Sequence, residues 1–304
     1  MKELLELRVN MKYAHLLFAD DEGVNLGDSI KKVVIDTASP IYTEVGKLQK
    51  KIMEKYETLF FFGWNYIREY TEDEIRSARF LQIRRTRFFE PTGEECGTLY
   101  DESTACPICH AGARQIGPLK LRKSSIPRTD LAETIAWGEE TIVSEHFKQL
   151  MEVNHTTGIS FVPIYNKRME KIQNFYQLIP TFFLDFSPKT IFGLAPFDFS
   201  GKSGGKTAIY RNPDGTLEKK FYPLEVFACP NGDNMGLHIL SEAYLKGEEG
   251  LDKIDFFASK QTVGGRGGLI RPHRQLFCSN RMMRLIKDNK LKGFKFEVAH
   301  IVDE

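Results

Sequence analysis

A chain of 304 residues, 41% hydrophobic and 12% aromatic, has the length and apolar content for one large or two ordinary folded domains. Its 42 Lys and Arg against 41 Asp and Glu leave a formal charge of +1, so no global field selects nucleic acid or an anionic membrane. No apolar run reaches the roughly 18 residues that a spanning helix needs, and charges in Met1–Arg8 interrupt any secretion signal, so a cytoplasmic chain without disulfides is expected.

In chain order, Ser39-Pro40 predicts a helix start, with Ile41, Val45, Leu48, Ile52 and Met53 at helical spacing up to about Tyr56. Thr58–Trp64 is an aromatic run that reads as a buried strand. Thr71-Glu72-Asp73-Glu74 is a capping box that opens a second helix. Leu81–Phe89 reads as a strand, with Ile83, Arg85 and Arg87 on one face and Arg84, Thr86 and Phe88 on the other. A solvated strand edge is the expectation there. Pro118 and Pro127 bracket Leu119–Arg128 and predict a boundary between residues 1–118 and residues 119–304.

Beyond that boundary, Ile142–Met151 followed by Gly158–Phe161 aligns without a gap on Phe277–Ile286 followed by Gly293–Phe296. The spacing is a constant 135 residues, from Ser144 to Ser279 and from Gly158 to Gly293. Each segment reads as a strand end, a Ser N-cap, an amphipathic helix, a Gly that stops it and a second strand. These repeated units span about residues 142–164 and 277–299. A weaker third copy is expected at Ile239–Tyr244, leading to Ile254–Phe257. Between them, Thr181–Phe186 reads as a short strand, and Asn212–Gly215 is a turn joining Thr207–Arg211 to Leu217–Tyr222. Gly264–Gly268 is too glycine-dense to pack and predicts a mobile loop. The expected fold class is α+β, with mixed sheets, short amphipathic helices and an N-terminal cysteine loop resembling a zinc knuckle.

Three of the five cysteines, Cys96, Cys106 and Cys109, fall close together in a segment with little apolar sequence. A Cys-Pro-x-Cys turn can point two sulfurs at one tetrahedral ion, and a third sulfur nearby can close on it. The expected ligands of a structural zinc are Cys96, Cys106, Cys109 and His110. His110 follows Cys109 directly and shares an ion with it only through a contorted backbone, so Cys229, His155 and His238 stand as alternatives for the fourth place. Unmetallated thiols in a structured loop remain the other reading.

Gly201–Thr207 has three residues, not four, between its glycines and no following helix, which argues against a P-loop. Lys202 and Lys206, with Arg266, Arg271 and Arg274 around the glycine loop, are the candidate residues for docking an acidic protein surface. Arg84, Arg85 and Arg87 beside Phe88 and Phe89 suit single-stranded nucleic acid as an alternative. No Gly-x-Ser-x-Gly turn or His-Glu-x-x-His motif is present, Cys278 reads as a core residue, and His155, His273 and His300 have no evident partner.

Gly93-Glu94-Glu95-Cys96-Gly97, Cys106-Pro107-Ile108-Cys109-His110 and the two strand–Ser–helix–Gly–strand units together resemble the double-CXXCG family of bacterial proteins. Many members are immunity proteins of polymorphic toxin systems. The chain departs from the pattern twice, with Gly93 in place of the first cysteine and His110 in place of the second glycine. The resemblance implies a cytoplasmic immunity-type protein that neutralises a cognate toxin by covering it, without catalysis. The competing readings are a zinc-ribbon nucleic-acid-associated protein and an enzyme with its site in the loops near Gly201–Lys206 and Gly264–Arg274.

Overall fold

Leu5, Leu7 and Val9 alternate with Glu6 and Arg8, and this period of two builds the first strand, β1 (Lys2–Asn10), with one face buried. The computed structural model describes residues 1–302 except 107–110, 137–138, 194–195, 198–204, 212–216, 224–232, 236–237 and 265–267. It is a mixed α+β protein, mostly strand, with five helices and several sheets among the described residues. None of those helices is long and apolar enough to cross a membrane. The chain divides into two compact units, Met1–Glu74 with Ala195–Gly201, and Ile75–Leu194 with Lys202–Glu304.

In the first unit, a short helix α1 (Met11–Ala14) follows β1, then strands β2 (Val24–Leu26) and β3 (Ile30–Asp36), helix α2 (Pro40–Tyr56) and strand β4 (Phe61–Glu69). The antiparallel order is β2-β3-β1-β4. Ser39 caps α2 at the expected place, its Oγ accepting from Ile41 N at 3.4 Å. Val45, Gln49 and Ile52 face the sheet, and buried Gln49 Oε1 accepts from the N–H groups of Phe60 and Phe61 at 2.7 and 3.1 Å.

The division between the units falls within α3 (Glu72–Ser77), whose capping box is formed: Glu74 N donates to Thr71 Oγ1 at 3.2 Å and Thr71 N to Glu74 Oε2 at 2.8 Å. Strands β5 (Phe80–Arg85), β6 (Phe88–Phe89), β7 (Leu99–Asp101), β8 (Arg114–Ile116), β9 (Leu131–Thr134) and β10 (Thr141–Ser144) follow, then α4 (Glu145–Val153). Next come β11 (Ile159–Tyr165), β12 (Lys171–Pro180), β13 (Phe183–Leu184), β14 (Phe192–Gly193), β15 (Gly205–Arg211) and β16 (Leu217–Pro223). The remainder is β17 (Asn234–Met235), β18 (His238–Ile239), β19 (Ala243–Lys246), β20 (Phe256–Ser259), β21 (Val263–Gly264), β22 (Leu276–Ser279), α5 (Asn280–Asp288) and β23 (Phe294–Val302). β15 and β16 pair as an antiparallel hairpin, while the turn expected between them lies outside the described residues.

Two larger sheets carry the second unit, β11-β12-β10-β9-β6 and β13-β20-β22-β5-β23-β19. Their central strands pair in matching register. Val143 faces Leu131 and Tyr176 in one sheet, and Cys278 faces Phe256 and Leu81 in the other. Gln177 and Gln82, both buried, occupy corresponding places opposite Ile142 and Phe277. Ser144 Oγ accepts from Phe147 N at 3.0 Å, and Ser279 Oγ from Met282 N at 3.3 Å. Each helix leads to a glycine at positive φ, Gly158 at 86° and Gly293 at 103°.

The segments cross over at those glycines. Phe256 N donates to Thr157 O at 3.0 Å, and Leu131 N to Lys292 O at 3.1 Å. Asp255 accepts from Ser279 Oγ at 3.2 Å and from Thr157 N at 3.1 Å; Asp130 accepts from Ser144 Oγ at 2.7 Å and from Lys292 N at 2.8 Å. Thus the loop ending each helix is held by the aspartate that anchors the other. Fully buried Phe147 on α4 packs at the crossing, its ring 5.6 Å from that of Phe294 and 6.2 Å from that of Phe256.

Three expectations change. The 118/119 boundary falls inside the second unit, because Leu119 and Leu121 are core residues packed with Phe89, Ile126 and Ile164. Leu81–Arg85 is no solvated edge, since β5 lies between β22 and β23. Ser241 starts no helix; the residues after it, Ala243–Lys246, form β19 beside β23.

A Cβ on Gly158 would lie 1.8 Å from Phe256 O, whereas one on Gly250, at a similar φ of +83°, would meet open space. Gly250→Ala is therefore expected to cost only the left-handed backbone penalty of about 1–2 kcal/mol. Gly158→Ala is expected to cost more than about 3 kcal/mol by denaturant unfolding, because the backbone must also move. Equal costs would show that the crossing is not close-packed.

Candidate functional site: an arginine-lined cleft beside the cysteine loop

The cysteine loop fills the long connection from β6 to β9, and its anchor is a buried carboxylate. Gly93 N donates to Glu140 Oε2 at 2.8 Å, Tyr100 OH donates to Glu140 Oε1 at 2.6 Å, and Thr134 Oγ1 donates to Oε2 as well. Three donors on one carboxylate satisfy a charge that is otherwise costly to bury. A Cβ at Gly93 would stand 2.6 Å from Glu140 Oε1 and 2.7 Å from Leu119 Cδ1. The glycine at the first motif position is thus fixed by Glu140, and a cysteine side chain there has no room.

Cys96 and Cys106 are buried, at 7% and 6% exposure. Burial pushes the Cys96 thiol up, with Arg122 opposing. Cys106 N donates to Ala111 O at 2.8 Å. Cys109 and His110, like the alternative ligand Cys229, lie outside the described residues. Among the described residues no group of three or more His, Cys, Asp or Glu is placed to hold a metal. Two buried thiols are nonetheless of the donor type that a structural zinc takes.

Arg271 is the link from this loop to the connection between β20 and β22. Its Nη1 pairs with Glu102 at 2.9 Å, its Nη2 with Glu94 at 2.8 Å, and its guanidinium stacks on Tyr100 at 3.9 Å from the ring centre. With the side chain only 8% exposed, Arg271 is an internal clamp and not the docking residue expected from sequence. Arg274 is half-buried, bonded to the carbonyls of Ser259 and Lys260 and set 5.0 Å from the Phe183 ring. Lys202 and Arg266 lie outside the described residues, and Lys206 is on β15.

Arg85, at the end of β5, is turned inward, with its side chain 9% exposed. Its Nη2 reaches Thr141 Oγ1 at 3.4 Å and Glu133 Oε1 at 3.6 Å. Burial raises the Glu133 carboxyl above its usual range, with Arg85 opposing. The basic run that offered nucleic acid as an alternative partner therefore spends Arg85 inside the protein, while Arg84 Nε lies 3.9 Å from Glu297. Arg85, Arg271 and Arg274 line a cleft of ≈ 170 Å³ together with the apolar Leu178, Phe183 and Leu276. Glu139 is the carboxylate on its lining.

Sequence reasoning did not find Tyr100, Glu133, Glu140 or Thr141. Local pattern carries no signal that a glutamate beside a strand will be buried; that follows from which loop packs over it. His300 has a partner that the sequence does not reveal, Glu242 Oε2 at 2.7 Å, and stacks on Tyr244. No family model, curated protein or solved structure matches the chain.

Burial, reinforced by the nearby Arg85 and Arg84 guanidiniums, lowers the pKa of His273 to about 3. The unfolded chain takes up this proton near pH 6.5 and the folded one does not, so stability is full above pH 6.5 and falls towards pH 3. His273→Gln is expected to remove part of that acid-side loss, on the order of a few kcal/mol, in unfolding free energies measured from pH 7 to pH 4. An unchanged pH slope would contradict the neutral histidine.

Proposed function

We propose that the chain is a cytoplasmic binding protein of the immunity type, which neutralises a protein toxin by covering it. The observation that carries this reading is the outer face of the first unit's sheet. One face packs on α2, and the other leaves Val24, Leu26 and Val34 exposed at 58%, 43% and 48%. They surround Lys32 on two neighbouring strands, Val24 opposite Lys32 and Leu26 opposite Ile30. An open sheet face is ordinarily polar, and clustered apolar residues there mark a place where another protein docks. The resemblance to the double-CXXCG family supplies the kind of partner.

The scaffold is read as a duplicated unit. One copy runs from β5 to β11 and the other from β12 to β23, each giving its first strand to the other's sheet. The shared 135-residue spacing, the matching register and the crossed aspartates support this. In the cysteine loop, Cys96, Cys106, Cys109 and His110 would hold a zinc, which would stiffen a segment poor in apolar residues.

Co-expression with the toxin encoded beside its gene is expected to restore growth and give a stable complex. Val34→Asp should weaken that complex at least tenfold, about 1.4 kcal/mol, with unfolding unchanged. No protection by the wild-type chain, or full protection by the variant, overturns the docking face. For the metal, about one zinc per chain is expected on elemental analysis, with Cys106→Ser losing it and several kcal/mol of stability. A metal-free wild-type protein refutes the zinc site.

A further inference from the structure

We propose that helix α2 carries a recognition groove for an extended peptide in which a proline is followed by an aromatic and then an acidic residue, and that Pro196–Phe197 is its built-in, competing occupant. The groove lies within the first unit, on the helix side of the sheet. It does not rest on the docking face proposed above, which is on the other side.

Gly46 is the observation that carries the inference. It stands in the interior of α2 (Pro40–Tyr56), where glycine is destabilising relative to alanine. Its φ is outside the left-handed region, so the backbone makes no demand for glycine. The demand is for space: a Cβ there would lie 2.7 Å from Cδ1 and 3.1 Å from Cγ of Phe197. The helix thus gives up stability to receive a ring. Tyr42, one turn earlier, has its ring centre 4.7 Å from that of Phe197, and the Phe61 ring lies at 6.0 Å. Tyr42 OH donates to Pro196 O at 2.9 Å and stands 2.9 Å from Tyr66 OH. Pro196 is buried, and a proline has no N–H to leave unmet there.

Two further observations separate the occupant from the groove. Among the described residues, the buried core of this unit runs from Leu5 to Phe61, and Phe197 packs against it only half-buried. The walls are therefore built without the occupant, which arrives between stretches of chain that belong to the second unit. Nor does it fill the groove. A cleft of ≈ 380 Å³ remains beside Pro196 and Phe197, lined by Thr43, Gly46, Lys47 and Lys50. The two lysines are exposed, and none of the described lining residues is acidic, so the lining favours a carboxylate next to the aromatic residue. The chain's own sequence has that order, with Asp198 after Phe197. A tethered occupant acts at an effective concentration of about millimolar, so a partner's segment opens the groove only by outcompeting it.

Fluorescence anisotropy of a labelled peptide, Leu-Ala-Pro-Phe-Asp-Phe-Ser, titrated with the full chain tests this. Phe197→Ala, which vacates the groove, should bind it with a dissociation constant at or below about 1 mM, and the wild type at least tenfold more weakly. Adding Gly46→Leu to that variant should abolish binding without making unfolding easier, because leucine favours the helix and fills the vacated space. Should Phe197→Ala fail to fold, displacement is read in the wild-type chain fluorinated at Phe197, whose ¹⁹F resonance should shift with the peptide at about 10 mM. A folded Phe197→Ala that does not bind, equal binding by the wild type, binding that survives Gly46→Leu, or a ¹⁹F resonance that does not move overturns the proposal.

Discussion

The second unit depends on two aspartates that each hold the opposite segment. Asp130 and Asp255 each accept from the serine that caps the following helix and from the backbone of the loop that ends the other helix. Each also has a basic side chain beside it, His146 Nδ1 at 3.5 Å from Asp130 and Arg281 Nε at 3.0 Å from Asp255. A short, partly buried carboxylate with several donors is a rigid joint, because every donor that leaves must be replaced. The glycines complete the joint: with a side chain at Gly158 or Gly293, neither loop could come close enough for Thr157 and Lys292 to accept from the opposing strands.

From that joint the placement of the cleft follows. β5 is locked between β22 and β23, and Arg85 at its end lines the cleft. The short connection from β9 to β10 brings Glu139 and Glu140. The connection from β20 to β22 brings Arg271 and Arg274. Glu140 then fixes the cysteine loop through Gly93 and Tyr100, and Arg271 clamps the same loop through Glu94 and Glu102. Breaking either anchor leaves buried donors or a buried guanidinium unmatched, a larger cost than the bonds themselves are worth.

Much of the local structure was legible in the sequence. Helix starts at Ser39, Thr71, Ser144 and Ser279 need only a capping side chain and the apolar period behind it, both of which are local. The strand–helix–strand segments were legible for the same reason, and Cys278 was correctly read as core. What pairs with what was not. Arg84 and Arg85 look like a solvated basic edge until β22 and β23 close on both sides of β5. Leu119 and Leu121 look like a linker between prolines because their burial is decided by Ile142, Ile164 and other distant residues. Gly93 looks like a degraded cysteine position, and only the carboxylate of Glu140 shows why nothing larger fits.

The central claim is that the two crossed segments form one cooperative body, since the loop that ends each helix is held by the aspartate that anchors the other. Native-state hydrogen exchange at the amides of Gln82 and Gln177, followed through increasing denaturant, tests it most directly. Both should exchange only through global opening of this unit, with the same free energy and the same denaturant dependence. Exchange of Gln82 through a lower-energy opening that leaves Gln177 protected, or the reverse, would mean that the two sheets unfold separately and that the crossing does not hold them together.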